Sequence, residues 1–92
     1  MKAIWRGVVI AESDQVEKVE GDIYFPPGSL KKIFFKESIR STKHQEIGRA
    51  KYYHVVVNGV HNQNAAWYYS NPSKEYIHIK NYVAFWQGIV IN

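Results

Sequence analysis

Three segments of the chain share one order of residues: apolar positions, a polar residue, a glycine, and apolar positions again. They are "IWRGVV" at 4–9, "VVNGVH" at 56–61 and "FWQGIV" at 85–90. Asn58-Gly59 in the second segment is the strongest hairpin signal, because both residues tolerate the positive φ angles of a type I′ turn. In the other two segments, a type I turn with the glycine as a bulge residue fits equally well. We therefore predict that the chain reverses direction at all three.

Segments rich in aromatic and β-branched residues flank these turns, a composition typical of β-strands. The predicted strands, in chain order, are "AIW", "VVIAE", "QVEKVE" at 15–20, "KYYHVVV" at 51–57, "AAWYY" at 65–69, "YVAFW" and "IVI". Strands joined by hairpin turns pair antiparallel. The pattern predicts a mainly β fold, formed by a small twisted antiparallel sheet or a part-closed barrel with one or two short helices.

Helical patterns are confined to two segments. The segment "PPGSLKKIFFK" at 26–36 predicts one or two helical turns, with the prolines ending the preceding strand and Ser29 as cap. A short helix is predicted near 72–79 with Ser73 as cap, although "YIHI" within it also alternates like a strand. Residues 38–50 show no periodicity, and we predict a loop there.

Size and composition limit how this chain can be stabilised. Its 92 residues predict one domain, 1–92, and the absence of cysteine excludes disulfides and cysteine-based zinc sites. Aromatic residues make up 15% of the chain, and each ring buries about 150–250 Å². No segment approaches the roughly 20 apolar residues of a membrane span, and the N-terminal segment is too polar for a secretion signal. We expect a soluble, cytoplasmic protein.

The three consecutive rings in "NAAWYYSNP" at 64–72 raise the question of a binding site. In a strand, Trp67 and Tyr69 share a face with Ala65, and Tyr68 points the opposite way. Both faces then carry large rings, so the strand is either buried on both sides or borders a cleft on one side. Because so short a chain has little material for two full cores, a cleft walled by Trp67 and Tyr69 is one hypothesis, and plain packing is the other.

The four histidines show no metal-ligand spacing, and no cofactor is expected. If Asn58-Gly59 is a two-residue turn, His61 lies opposite Val56 and His54 lies opposite Gln63. A bulge in the polar segment "HNQN" at 61–64 would change this register. These histidines can be surface residues, hydrogen-bonded core residues or ligand contacts.

Positive charge is concentrated between Lys31 and Lys51. This segment holds seven Lys and Arg residues against Glu37 and Glu46, so its charge is seven minus two, or +5, whereas the whole chain carries +4. A basic segment of this kind can bind nucleic acid or an acidic partner, or it can simply be solvated. No phosphate-binding glycine loop and no nucleophile elbow is present.

Four segments, taken together and in this order, resemble the bacterial domain-of-unknown-function 427 family over nearly the whole chain. They are "KAIWRGVVIAESD", "VEGDIYFPPGSL", "NAAWYYSNPSK" and "NYVAFWQGIVIN". The resemblance implies a small β-rich domain of complex, tent-like architecture with few helices. The family is sometimes labelled nucleotidyltransferase-like, which makes an enzyme a further alternative.

The chain departs from the family pattern at several positions that the resemblance marks as functional. The family's Thr-x-Cys-Pro-Trp-Lys-Gly element corresponds to "TKHQEIGRA" at 42–50, where Thr42 and Gly48 match and His44 replaces the cysteine. Asn64 and His54 stand where the family has aspartates. Loss of the thiol and both carboxylates weakens an enzyme interpretation more than a binding interpretation.

The sequence thus predicts a binding module for a small polar or planar molecule in an aromatic cleft. The predicted ligand-binding residues are Tyr24, His44, Tyr52, His54, Asn64, Trp67 and Tyr69. The first alternative is an interaction module that uses the basic segment 31–51 to bind nucleic acid or an acidic partner. The second is an enzyme acting through His44 with Glu20 or Asp22 as a proton-transfer partner.

Overall fold

The computed structural model describes all of residues 1–92 and contains nine β-strands. The strands are β1 Lys2–Trp5, β2 Val8–Glu12, β3 Glu17–Val19, β4 Asp22–Tyr24, β5 Phe35–His44, β6 Gly48–Val57, β7 Val60–Tyr69, β8 Val83–Phe85 and β9 Val90–Ile91. They form three antiparallel sheets with the orders β2-β1-β9, β3-β4 and β5-β6-β7-β8. The mainly β prediction is confirmed, and the sheets do not close into a barrel. None of the helices is long and apolar enough to cross a membrane.

The three glycine turns form where the sequence predicts them. Both central residues of each turn have positive φ, as a type I′ turn requires. The turns at Arg6-Gly7 and Asn58-Gly59 join paired strands and are hairpins. The turn at Gln87-Gly88 is not a hairpin, because β8 pairs with β7 whereas β9 pairs with β1 in another sheet.

The prediction of a loop at residues 38–50 is wrong. These residues complete β5, make a turn at 45–47 and begin β6, so the basic segment is largely a hairpin. The strand β5 lies at the edge of its sheet, and most of its side chains are exposed. An exposed edge strand needs no apolar alternation, which explains why the sequence shows none there.

All three helices are of the 3₁₀ type: Pro27–Ser29, Lys32–Phe34 and Lys74–Ile79. Neither predicted cap is a side-chain cap. The Ser29 hydroxyl donates to the Pro26 carbonyl at 2.6 Å, and the Ser73 hydroxyl donates to the Glu46 carbonyl at 2.7 Å. Ser73 therefore fastens the β5–β6 turn to the segment before the last helix, instead of capping that helix.

The large sheet is covered on both faces. One core cluster of eleven buried residues, with Phe25 at 0% exposure, contains Val55, Tyr68 and Phe85. A second cluster of seven, on the opposite face, contains Tyr52, Tyr69 and Ala84. Because successive side chains of a strand point to opposite faces, Tyr68 and Tyr69 belong to different clusters.

A bulge interrupts the pairing of β6 and β7, in the polar segment where the sequence allows one. His61 pairs with Val56 as predicted, but the register shifts between Tyr53 and Val55. Asn64 adopts a φ of 55°, and its backbone N–H donates to His54 Nδ1 at 3.0 Å. The simple pairing of His54 with Gln63 is therefore wrong. Ala65, next to the bulge, packs in the first cluster and not with Trp67.

Candidate functional site

The second core cluster opens into a hollow of about 290 Å³, which we call the aromatic hollow. Three parts of the chain border it: one face of the sheet β5-β6-β7-β8, the β3–β4 hairpin, and the turn after β8. Its lining comprises Glu20, Asp22, Tyr24, Thr42, Lys43, His44, Ile47, Ala50, Tyr52, Trp67, Tyr69 and Trp86.

The sheet places the rings side by side. Tyr52 pairs with Trp67, and Ala50 pairs with Tyr69, so these side chains share a face. The small Ala50 side chain leaves space in front of the Tyr69 ring. The Tyr52 hydroxyl lies 2.9 Å from Thr42 Oγ1, which fixes its position at the wall.

The β3–β4 hairpin brings carboxylates to the same opening. Its turn is formed by Glu20 and Gly21, which have φ angles of 52° and 87°. Two backbone hydrogen bonds of 2.8 Å between Phe25 and Val83 dock the hairpin against the large sheet. Trp67 Nε1 donates to the Tyr24 hydroxyl at 3.2 Å across this junction.

His44 is held as a hydrogen-bond donor towards the hollow. Its Nδ1 accepts the backbone N–H groups of Glu46 and Ile47 at 3.2 and 3.3 Å. In the neutral imidazole the proton then lies on Nε2. That nitrogen is 3.5 Å from Glu20 Oε1, so the two side chains meet at the rim.

Two phenols of the hollow, Tyr24 and Tyr69, stay protonated at neutral pH because the pKa of each is raised. Burial is the main cause that raises the pKa of Tyr69, and the neighbouring Tyr24 raises it further. Burial also raises the pKa of Tyr24, against the opposing effect of its hydrogen bond with Trp67. Both hydroxyls are therefore neutral groups that can donate or accept a hydrogen bond.

The aromatic hollow brings together five of the seven predicted ligand-binding residues: Tyr24, His44, Tyr52, Trp67 and Tyr69. His54 and Asn64 are not in its lining. They form the β6–β7 bulge, where the Asn64 carbonyl accepts a hydrogen bond from Trp86 Nε1 at 2.6 Å. The bulge turns the Asn64 carbonyl towards the indole of Trp86, and this hydrogen bond positions Trp86 at the hollow.

Sequence reasoning missed several residues of the lining. Trp86 lay within the "VAFW-x-G" segment that carried the resemblance, and Thr42 was a matching position in the divergent element at 42–50. Lys43, Ile47 and Ala50 were not predicted as lining residues, because a segment interpreted as a loop gives no strand alternation from which a shared face could be read. Glu20 and Asp22 were considered only as partners of His44 in an enzyme.

Replacing Asp22 with asparagine is expected to flatten the pH dependence of stability in the acid range. Burial, and secondly the charge of Glu20, raise the pKa of Asp22 in the folded protein, and its side chain makes no hydrogen bond. As the pH rises from about 4, the unfolded chain loses this proton first, so the free energy of unfolding falls until the folded carboxyl also ionises. The asparagine variant lacks this loss.

Urea denaturation at pH 3 and pH 7 measures this effect. The free energy of unfolding of Asp22→Asn, minus that of the unsubstituted protein, should be higher at pH 7 than at pH 3. The increase should be less than about 1 kcal/mol, because partial exposure screens the charge of the carboxylate. An equal difference at both pH values, or a relative loss at pH 7, would show that the carboxylate is not disfavoured by folding.

The basic segment is exposed along the β5–β6 hairpin. Lys43 pairs with Arg49 across the strands, and Lys51 follows on the same face. Acidic oxygens lie within 4.0 Å of the N-terminal amine, in Asp14, and of the His44 imidazole, in Glu20, so no lysine or arginine side chain forms an ion pair. Arg40 lies over the Tyr52 ring at 5.2 Å from the centroid, at the edge of the aromatic hollow.

The model of the domain of unknown function 427 matches residues 1–91, and the chain belongs to this family. The resemblance found in the sequence is therefore confirmed. None of the curated proteins compared with the chain matches it.

Proposed function

We propose that this member of the domain of unknown function 427 family binds a small planar molecule with a polar edge in the aromatic hollow. One observation supports this above the others: five aromatic rings and two carboxylates surround a single opening. Rings provide flat surfaces for stacking, and the carboxylates accept hydrogen bonds from N–H groups.

The volume of the hollow limits the ligand. At about 290 Å³ it lies just below the range of small-molecule sites, which is about 300–1,000 Å³. A molecule of one or two fused rings fits this space, with larger parts extending into solvent. A dinucleotide is too large for this volume, and a lipid chain does not match the polar groups of the lining.

The polar groups favour an amino-substituted heterocycle. Glu20 and Asp22 accept hydrogen bonds on one side, and His44 Nε2–H can donate beside them. Nucleobases present this combination of a flat ring, exocyclic N–H donors and ring acceptors. Adenosine, guanosine and cytidine are therefore the first probes.

Replacing Trp67 with phenylalanine is expected to weaken binding of the best nucleoside at least about tenfold. The smaller ring loses stacking area and the N–H donor that orients Tyr24, which together are worth about 1.4 kcal/mol or more. Isothermal titration measures the affinity, after a thermal-shift screen in which a ligand at 100 times its Kd adds about 2.7 kcal/mol.

The matched control is Trp5→Phe, a change of the same kind on β1, away from the hollow. It should leave the nucleoside affinity unchanged. Equal affinities for Trp67→Phe and the unsubstituted protein would place the ligand elsewhere. Absence of any thermal shift across the three nucleosides would reject an amino-substituted heterocycle as the ligand.

A second candidate function uses the basic hairpin, because Lys43, Arg49 and Lys51 lie close together without acidic partners. It predicts that a single-stranded oligonucleotide binds with an affinity that falls steeply between 50 and 200 mM salt, whereas the affinity for a nucleoside stays nearly constant.

The enzyme alternative is less well supported by the arrangement of His44. Its Nδ1 accepts two backbone N–H groups, and its Nε2 carries the proton, so the ring is arranged to donate a proton and not to abstract one.

A further inference from the structure

A second hollow, of about 510 Å³, opens on the opposite face of the large sheet and shares no lining residue with the aromatic hollow. We call it the Glu37 hollow. It lies between β5, β6 and β7 on one side and the two short helices before β5 on the other. None of the seven ligand-binding residues predicted from the sequence lines this hollow.

Aromatic rings form the wall of the Glu37 hollow. Tyr53 and Tyr68 stack at 4.7 Å between centroids with an interplanar angle of 22°, and Phe35 packs edge-on against Tyr53 at 5.6 Å. Tyr53 and Phe35 are only partly buried, so ring surface remains in contact with solvent. An apolar or aromatic group of a ligand gains free energy by covering this surface.

Glu37 is held in place by phenols and not by a cation. The Tyr68 hydroxyl donates to both carboxylate oxygens of Glu37, at 3.0 and 3.3 Å. Burial, followed by this hydrogen bond, raises the pKa of Tyr68, so the phenol remains a donor. Although Glu37 lies in a segment with seven basic residues, it forms no salt bridge, and its remaining lone pairs are free to accept other donors.

Lys32 lines the same hollow with the opposite charge. It lies in the helix Lys32–Phe34, and its ammonium group forms no salt bridge with Glu37 or with any other acid. The lining of the hollow thus combines aromatic rings with one anion and one cation that form no salt bridge with each other. A ligand with one charge would satisfy only one of them and would face a like charge at the other.

We propose that the Glu37 hollow binds a small zwitterion with an aromatic or large apolar side chain, of the α-amino acid type. Its ammonium group contacts Glu37, its carboxylate contacts Lys32, and its side chain packs on the rings of Phe35 and Tyr53. This proposal is independent of the aromatic hollow and its ligand.

Three probes with the same phenyl ring but different charged groups test the proposal: L-phenylalanine carries an ammonium and a carboxylate, phenethylamine only the ammonium, and 3-phenylpropionate only the carboxylate. Binding is measured by isothermal titration and by amide chemical-shift changes in a ¹⁵N-labelled sample of the full chain. L-Phenylalanine is expected to bind at least about tenfold more tightly than either singly charged analogue, with shifts centred on β5 and the Lys32 helix. Equal affinities for all three, or no binding of L-phenylalanine at its solubility limit, would overturn the proposal.

Two substitutions separate the charges. Glu37→Gln should weaken L-phenylalanine and phenethylamine but not 3-phenylpropionate, and Lys32→Met should weaken L-phenylalanine and 3-phenylpropionate but not phenethylamine. Lys31→Met is the matched control, because Lys31 precedes Lys32 and does not line the hollow. A control that weakens binding as much as Lys32→Met would show a general charge effect and reject the specific contact.

Substitution in the first hollow distinguishes the two sites. Trp67→Phe should leave L-phenylalanine binding unchanged, because Trp67 lines only the aromatic hollow. Loss of L-phenylalanine binding in this variant would place the zwitterion in the aromatic hollow and contradict the assignment to the Glu37 hollow.

Discussion

Replacing Phe25 with alanine is expected to lower the free energy of unfolding by about 3–5 kcal/mol, the cost of emptying a buried aromatic site. The Phe25 side chain is 0% exposed and packs edge-on against Phe85 at 5.5 Å. Its backbone also links the β3–β4 hairpin to Val83. Because small domains have a total stability of about 5–15 kcal/mol, the variant should lose roughly a fifth or more of it.

Urea denaturation followed by tryptophan fluorescence measures this loss. Ile33→Ala is the control, because Ile33 is 85% exposed, and its replacement should change the free energy of unfolding by less than about 0.5 kcal/mol. A cost below about 1 kcal/mol for Phe25→Ala would mean that the first core cluster collapses around the missing ring or does not depend on it.

Replacing Gly48 with alanine should destabilise the protein by about 1–3 kcal/mol, towards the upper end of that range. Gly48 has a φ of 131°, which residues with a side chain rarely adopt. An added Cβ would also lie 3.3 Å from the Asn71 carbonyl oxygen. Ser73 N–H donates to the Ile47 carbonyl at 2.8 Å beside this point, so the backbone has little freedom to move away.

The matched control is Gly28→Ala. An added Cβ at Gly28 meets no atom within 4 Å, and its φ is not in the strained range, so the variant should keep or slightly raise stability. Because Gly48 pairs with His44, nucleoside affinity should also fall in Gly48→Ala if the aromatic hollow is the binding site. Similar melting temperatures for the two alanine variants would show that the strained conformation of Gly48 is dispensable.

The part of the aromatic hollow that could be predicted from the sequence is the part that follows from the alternation of side chains along a strand. Trp67 and Tyr69 share a face because they are two residues apart in a strand, and Tyr52 is their neighbour through the hairpin at Asn58-Gly59. Alternation failed at the bulge, because Asn64 changes which face the following residue takes. Asn64, which the family resemblance and not alternation suggested, donates its backbone N–H to His54 Nδ1 in this bulge, and neither residue lines the hollow.

The β5–β6 hairpin shows what a local pattern misses. Its edge strand is stabilised by pairing with β6 and faces solvent, so its sequence is polar and resembles a loop. His44 and Thr42 reach the aromatic hollow only because this hairpin forms. The Glu37 hollow depends on the same pairing, which sets Glu37 opposite Tyr53.

By itself, the sequence determined the mainly β class, the three glycine turns, the family and the crowding of rings around Trp67. These follow from local backbone preferences and from side-chain spacing within single strands. Tertiary structure alone decided that the large sheet is covered on both faces, that the β3–β4 hairpin delivers Glu20 and Asp22 to the rings, and that a second hollow forms around Glu37. The physical reason is that these features depend on contacts between residues far apart in the chain, such as the β-bridge of Phe25 with Val83 that docks the β3–β4 hairpin on the large sheet. Contacts of this kind leave no periodic signal in the sequence.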